Sequence, residues 1–323
     1  MTRLIHSFAG AALAASLATA AAAQVVTVAS GAQGSLAYNT GQAVAKVANE
    51  AGITARTQPL VGYLPLVHSG EIDFGFSSGV EAGYALEGTG NYDRAHPNIQ
   101  LVGTMFNLTT GIMAPCDLGL TSVAELKAQA GDLRIASEYT SSTIIPFYIM
   151  GALANGGMSY DDFRQVPVAS FVAGMQALGD GLVDVALVSL NAGAGQQAAV
   201  KLKDRGGLCY ISLDGSDAGV AGLRTFMPSA SVTARDQNEK LNGLQSYGAN
   251  LISIPWVLIT NGDVSDALVY DLTKALAENK PALGESFGMF NGFNPEIMAP
   301  ASVVSYHAGA QAYFDEAGIA HGE

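Results

Sequence analysis

Short β-branched apolar runs alternate with stretches whose apolar residues recur every three or four positions, the pattern of strands packed under helices. The runs at 25–29, 53–58 and 72–76 bracket a helix over 36–51 and a short apolar helix carrying Leu64, Leu66 and Val67. That βαβαβ order predicts a parallel sheet with helices on its faces. Residues 101–114 are expected to be extended and to break at Pro115-Cys116. A second cycle opens at Ser122-Val-Ala-Glu125, a capping-box pattern that starts a helix. A strand over 133–137 follows, then a helix from about 142 to Gly156-Gly157. Further strands are predicted over 164–168, 183–188 and 208–213. The apolar run 251–260 leads into an amphipathic helix beyond Asp263, with Val264, Leu268, Leu272 and Leu276 as its expected buried stripe.

Two βα cycles separated by two long extended segments imply an α/β protein of two lobes joined by crossing strands, near 109–115 and 249–258. The C-terminal helices return to the first lobe, which is expected to hold residues 24–115 and 255–323. The second lobe is expected to hold 116–254. Composition agrees: charged residues are 13% and glycines number 38, so the chain buries much apolar surface and turns tightly. No repeat of solenoid period and no flexible linker interrupts it after residue 24.

The first residues read differently. Arg3, an Ala-rich apolar run over 8–17 and Ala21-Ala22-Ala23 before Gln24 form the charged, apolar and small-residue sections of a signal peptide. Cleavage near Ala23 would release the mature chain into the periplasm. The formal net charge of −13 repels nucleic acid and anionic lipid, so neither is an expected partner. Cys116 and Cys209 are the two cysteines. In an oxidising compartment an even count favours one disulfide; two buried thiols are the other reading.

Open α/β sheets bind ligands at the carboxyl ends of their strands. Four loops expected there are rich in small hydroxyl or amide residues. They supply Ser30, Gln33, Ser35 and Tyr38; Ser77 and Ser78; Ser137, Glu138, Tyr139, Ser141, Ser142 and Thr143; and Ser189 with Asn191. Glycine permits close backbone approach, and serine or threonine can cap a helix or bond a guest. Two of the loops feed helix N-termini, which favour an anionic group such as a carboxylate. Tyr38 and Tyr139 could cover a guest, and Glu138 could pair with an amino group.

None of these loops holds Arg, Lys, His or Cys, so no nucleophile finds a titratable partner there. His68, His96, His307 and His321 show no metal-ligand spacing, and His96 and His321 read as surface residues. Glu71 with Asp73, and Asp161 with Asp162, read as solvated charges. Gly31-Ala-Gln-Gly34 misses the dinucleotide fingerprint. The expectation is a binding protein, neither an enzyme nor a holder of a cofactor or metal.

The segments TVASGAQGSLAYNTGQAVAKVAN, LVHSGEIDFGFSS, SVAELKAQAGDLRIASEYTSST, SIPWVLITNGDVSDALVYDLTKALAEN and SYHAGAQAYFDEAG carry a resemblance. In that order they resemble the TAXI-type solute receptors of TRAP transporters, periplasmic binding proteins of the type II fold. The resemblance covers nearly the whole mature chain. Members often carry a Gly-Gly-Thr-Tyr-Tyr-type first loop, where this chain has Gly34-Ser35-Leu36-Ala37-Tyr38. They usually carry Gly-Ser-Gly-Thr in the second-lobe loop, where Tyr139 to Thr143 stand here. The family's C-terminal His matches His307, read as tying down a helix end. The resemblance implies a monomeric receptor that takes a small organic solute, an amino acid or dicarboxylate, between two lobes and presents it to a TRAP-type membrane permease. Other readings are a receptor for an ABC importer or sensor, and an exported two-lobed hydrolase or transferase.

Overall fold

The computed structural model describes residues 25–31, 33, 35–190 and 192–322. The expected signal peptide and Asn191 lie outside the described residues. In the first lobe the chain runs β1 (Val26–Ala29), α1 (Leu36–Glu50), β2 (Ala55–Gln58), α2 (Leu64–His68), β3 (Phe74–Ser78) and α3 (Gly79–Glu87). The long β4 (Ile99–Pro115) leads on to α4 (Val123–Gln129), β5 (Arg134–Glu138), α5 (Ile145–Asn155), β6 (Arg164–Val168) and α6 (Phe171–Gly179). Then come β7 (Ala186–Ser189), α7 (Gly193–Lys201), β8 (Leu208–Tyr210), α8 (Asp217–Phe226) and β9 (Ser231–Arg235). A second long strand, β10 (Ala249–Asn261), precedes α9 (Asp266–Glu278), α10 (Lys280–Ser286) and α11 (Ala308–Ala317).

Strand burial follows position in the sheet. β1 and β3 are buried on both faces, as inner strands under helices must be, whereas β2 at the edge alternates half-buried and exposed residues. The main sheet runs β2-β1-β3-β10-β4-β7, with β8 added on β4 and β9 on β10. β1 pairs in parallel with β2 and β3, while β10 lies antiparallel to both β3 and β4. β5 and β6 form a parallel pair that reaches the chain just before β7 through an Ile135–Val185 bridge.

The molecule has two hydrophobic cores. One gathers Val28, Val44, Phe74, Leu101, Ile259, Leu272 and Phe314. The other gathers Ile112, Leu126, Ile135, Ile149, Leu178, Leu187 and Ile252. β4 contributes to the first core up to Phe106 and to the second from Leu108; β10 switches between Ile254 and Val257. Side chains on these two strands therefore belong to one core at one end and to the other at the opposite end. Register shifts in the β4–β10 ladder fall at Trp256/Val257 and Leu258/Ile259, beside that switch.

Local signals explain several boundaries. Ser35 caps α1 by accepting from the Tyr38 N–H, and Ser122 does the same for α4 with Glu125. His307 caps α11 through Nδ1, accepting from the Gly309 N–H, and stands 3.7 Å from Asp266 at the start of α9. Cys116, just past the end of β4, forms a disulfide with Cys209 of the neighbouring strand β8. The stripe on α9 differs from the expected one: Val269, Leu272, Thr273 and Leu276 are buried, while Val264 precedes the helix and Leu268 is only half-buried. With 3.6 residues per turn a strict fourfold row drifts around the helix, so Val269 and Thr273 join Leu272 and Leu276 on the inward face and Leu268 falls beside it. No helix among the described residues is long and apolar enough to cross a membrane.

Candidate functional site

Parallel strands bring their carboxyl ends to one edge. Ala29 of β1 pairs with Gly75 of β3, which sets Ser30 beside Phe76 and one position short of Ser77. Gly41 lets α1 pack onto this end, because a Cβ there would meet the Ser30 Cβ at 2.7 Å. Trp256 of β10 lies over the same region, stacked on Phe76 with ring centroids 6.3 Å apart, its indole N–H donating to Thr40. Leu36 and Trp256 each pack against both cores, so this edge faces the second lobe.

Contacts across the lobes define the opposing wall. The Tyr148 hydroxyl, in the first turns of α5, donates to Ser78 Oγ at 2.6 Å. Asn91 Nδ2 reaches Thr143 Oγ1 at 3.2 Å, and the Tyr84 hydroxyl donates to the Phe226 carbonyl at 2.6 Å. The Tyr84 ring also meets Phe147 edge-on at 5.3 Å. Ser137 is the last buried residue of β5, one position before the strand ends at Glu138 and the chain turns toward α5.

Among the buried hydroxyls without a partner, those of Tyr139 and Tyr160 belong to the second core, whereas three serines lie at strand ends. Ser30, Ser77 and Ser137 are 0%, 1% and 2% exposed, and their Oγ atoms find no hydrogen-bond partner among the described residues. Leaving such a group unpaired costs about 1–3 kcal/mol. All three sit at or beside the carboxyl ends of parallel strands, two in the first lobe and one in the second. Of the remaining predicted residues, Ser78 caps α3 and holds Tyr148, and Thr143 is exposed and holds Asn91. Ser35 is occupied as a cap, and Ser189 donates to Thr110 at 3.2 Å. Ser141 and Ser142 turn toward the β6–α6 connection, donating to the Ala169 carbonyl and accepting from the Phe171 N–H. Gln33 and Glu138 are exposed, and Tyr38 is half-buried. Tyr139 points into the second core with no exposed surface, its ring against Gly174, where a Cβ would lie 2.7 Å from the tyrosine hydroxyl.

Glu138 and Tyr139 both take positive φ, 64° and 49°. For side chains with a Cβ this backbone costs of order 1–3 kcal/mol each, so packing of the Tyr139 ring holds the loop in place. The strained turn directs the chain from Ser137 into α5.

One charged group in this wall has no counterpart in the sequence reading. Glu81, in the first turn of α3, accepts hydrogen bonds at Oε1 from the Tyr92 hydroxyl (3.1 Å) and Asn91 Nδ2 (3.5 Å). Glu81 is half-buried, and no described residue donates to its Oε2. Burial pushes its proton affinity up, against the opposing pull of Tyr92, Asn91 and Ser77. Ser77 exerts that pull without reaching good hydrogen-bond geometry. Burial likewise raises the Tyr63, Tyr92 and Tyr148 hydroxyls, and Glu81 adds to each. All three remain neutral donors near neutral pH.

His96 corrects the expectation of a surface residue. It is 2% exposed, its Nδ1 lies 3.2 Å from the Ala85 carbonyl, and its ring meets His68 and Tyr92 edge-on. One surface depression, about 330 Å³, lies at the far end of α5 between Ser122, Lys127, Asn155 and Asp214. It includes none of the three unpaired serines, nor any other unpartnered buried polar atom. The serine-lined wall is therefore the better candidate site. No group of His, Cys, Asp and Glu among the described residues is arranged to hold a metal.

Comparison with known proteins agrees with this architecture. A family model described as NMT1-like matches residues 28–318. The fold is similar to that of MatC from Rhodopseudomonas palustris with bound malate, at 14% identity and a TM-score of 0.55, over 90% of this chain and 96% of that one. A structure described as a periplasmic transporter is similar at 12% identity and a TM-score of 0.54, over 85% and 90%. A TctC solute binding protein from Polaromonas is similar at 13% identity and a TM-score of 0.52, over 83% and 89%. These likenesses give the mixed α/β fold of type II periplasmic binding proteins.

Proposed function

Because the chain belongs to the NMT1-like family of solute-binding proteins, we propose that it is the extracytoplasmic receptor of a TAXI-type TRAP transporter. In this reading it takes a small carboxylate-bearing solute between its lobes and delivers it to a membrane permease. The family is NMT1-like and the fold is that of type II periplasmic binding proteins; the transport role, the solute, the permease and the cleaved leader at 1–23 are the proposal.

The observation that carries it is the set of buried, unpartnered hydroxyls of Ser30, Ser77 and Ser137, drawn from both lobes. Donors without partners inside a protein are costly, and a guest that accepts from all three recovers that cost on binding. Uncharged hydroxyls suit carboxylate oxygens, which accept several hydrogen bonds at once. MatC, which shares the fold, holds malate, a guest of that size and type.

Delivery needs a change of state. The two cores are the lobes, and they swing about β4 and β10, where core membership switches between Phe106 and Leu108 and between Ile254 and Val257. Tyr148–Ser78, Asn91–Thr143 and Tyr84–Phe226 are the contacts that closure makes. A guest bonded to both lobes favours the closed form by its differential affinity for it. No bond of the guest is broken.

Native mass spectrometry of the protein taken from the exporting cell tests this. The expected result is one small molecule per chain, lost when Ser30, Ser77 and Ser137 are together replaced by Ala. Absence of any bound solute, joined to no thermal shift with a broad panel of carboxylates, contradicts the reading.

A further inference from the structure

The chain holds one tryptophan, Trp256, and places it on β10 where membership passes from one core to the other. It stands opposite Ser78, the last residue of β3, on one side and opposite Phe106 of β4 on the other. The backbone is thus paired along both edges, so the exposure that leaves this residue half-buried belongs to the indole. The ring has one aromatic neighbour among the described residues, Phe76, which lies 8° from parallel to it. Its N–H donates to Thr40, whose own hydroxyl turns to the Leu36 and Ala37 carbonyls in the first turn of α1. The indole is therefore fixed in plane and direction, beside the end of β3 and the start of α1. Gly41, next to Thr40, packs against Ser30, so the ring and an unpartnered hydroxyl share this corner. In the second lobe Ile144, at the start of α5, and Leu190, just past β7, are half-buried apolar residues.

A large ring left partly in water forgoes burial, and a rigid one offers a face on which another flat group gains contact over its whole area. Three uncharged hydroxyls recognise an anionic end but discriminate little among the acids that carry one. Selectivity then comes from what meets the rest of the guest. From this geometry we infer that Trp256 is a specificity-determining residue whose indole receives a flat, unsaturated ring of the guest, so that the solute is an aromatic carboxylic acid. The inference rests on the receptor reading and narrows it: an aryl acid is taken in preference to one of the same carbon skeleton with a saturated body. Ser30, Ser77 and Ser137 serve the carboxylate and Trp256 one face of the ring. Ile144 and Leu190 close over the ring from the second lobe. The hydrogen bond to Thr40 sets the indole before the guest arrives, so no ring has to be ordered on binding.

The test is isothermal titration of the protein with paired acids, benzoate against cyclohexanecarboxylate and phenylacetate against cyclohexylacetate. Succinate, malate and any co-purified solute complete the panel. Two variants accompany the wild type: Trp256→Leu removes the flat face, and Trp256→Phe keeps a smaller one. Expected are a preference of about tenfold for the aromatic member of a pair, its loss in Trp256→Leu and its partial return in Trp256→Phe. Because Trp256 is the single tryptophan, its emission should also change as the aromatic guest saturates the wild type. A merely structural tryptophan would weaken both members of a pair alike and leave their ratio unchanged. Circular dichroism shows whether each variant folds, and the wild-type preference decides the matter even where one does not. Equal or tighter binding of the saturated members, binding of succinate or malate alone, or a preference that survives in folded Trp256→Leu overturns the inference while leaving a receptor in place. Binding of nothing in the panel defeats the receptor reading itself, and the inference with it.

Discussion

Two shielded carboxylates, one at each end of the strand stack, are treated in opposite ways. Asp184, just before β7, accepts from the Arg134 N–H and Nε at 2.9 Å and from its other guanidinium nitrogen at 2.8 Å. Burial works to raise its proton affinity, but the bonds from Arg134 outweigh it and hold the carboxyl below the usual range. Glu81, in the wall between the lobes, has tyrosines and an amide for neighbours, and burial wins. Burial raises Glu81 and the Arg134 fork lowers Asp184, so the difference lies in the partners the chain supplies.

That contrast can be broken at several points. The largest stability change is expected at Asp184→Asn, which removes a forked, charge-assisted contact and should cost about 2 kcal/mol near neutral pH in urea unfolding. Because the folded state depresses this group, its contribution is present above the usual carboxylate range and is lost as pH falls through the folded value. The variant should therefore differ little from the wild type in acid, and an equal deficit at every pH would contradict the assignment.

Glu81→Gln should behave with the opposite sign in the solute-free protein. A group raised in the folded state contributes fully below its unfolded value and loses that contribution as pH rises through the folded one. The wild type should thus lose stability in that upper window while the glutamine variant stays flat, so the variant is the more stable there. Melting curves across pH read this directly; a variant less stable at high pH would mean that Glu81 is satisfied internally.

A smaller effect belongs to Tyr148→Phe, which deletes the interlobe bond to Ser78 and should cost about 1 kcal/mol, seen as a lower denaturation midpoint. Smallest of all are the single changes of Ser30, Ser77 or Ser137 to Ala. Each removes a buried group with no partner, so solute-free stability should stay within about 0.5 kcal/mol or rise. A loss of several kcal/mol at any one would show that its hydroxyl is bonded within the protein.

How much of this could be read from sequence depends on which signals are local. β6 spans 164–168 as its β-branched run indicates, and α1 begins after the Ser35 cap that marks it. β9 was missed, since its half-exposed Ser-Val-Thr-Ala-Arg run is made a strand by pairing with β10. The α9 face differs from the fourfold row because a 3.6-residue period carries such a row off one side of the helix. Of the site, the strand-end serines are legible as small residues before helices, yet nothing local distinguishes Ser30 from the capping Ser35. Glu81 reads as one more helix-start charge, and only the hydrogen bonds from Tyr92 and Asn91 set it apart. The left-handed turn at Glu138 and Tyr139 carries no glycine to announce it, and it sends the Tyr139 ring into the core. His96, beside a proline, looked like a loop residue, whereas the Ala85 carbonyl and two aromatic rings enclose it.

A crystal structure of the protein with its co-purified solute is the most direct test of the central claim, that the guest completes hydroxyls which the fold leaves unpaired. The expected result is a single molecule between the lobes, within hydrogen-bond distance of the Ser30, Ser77 and Ser137 Oγ atoms. A solute seated elsewhere, with those three hydroxyls bonded to the protein's own groups, would contradict it.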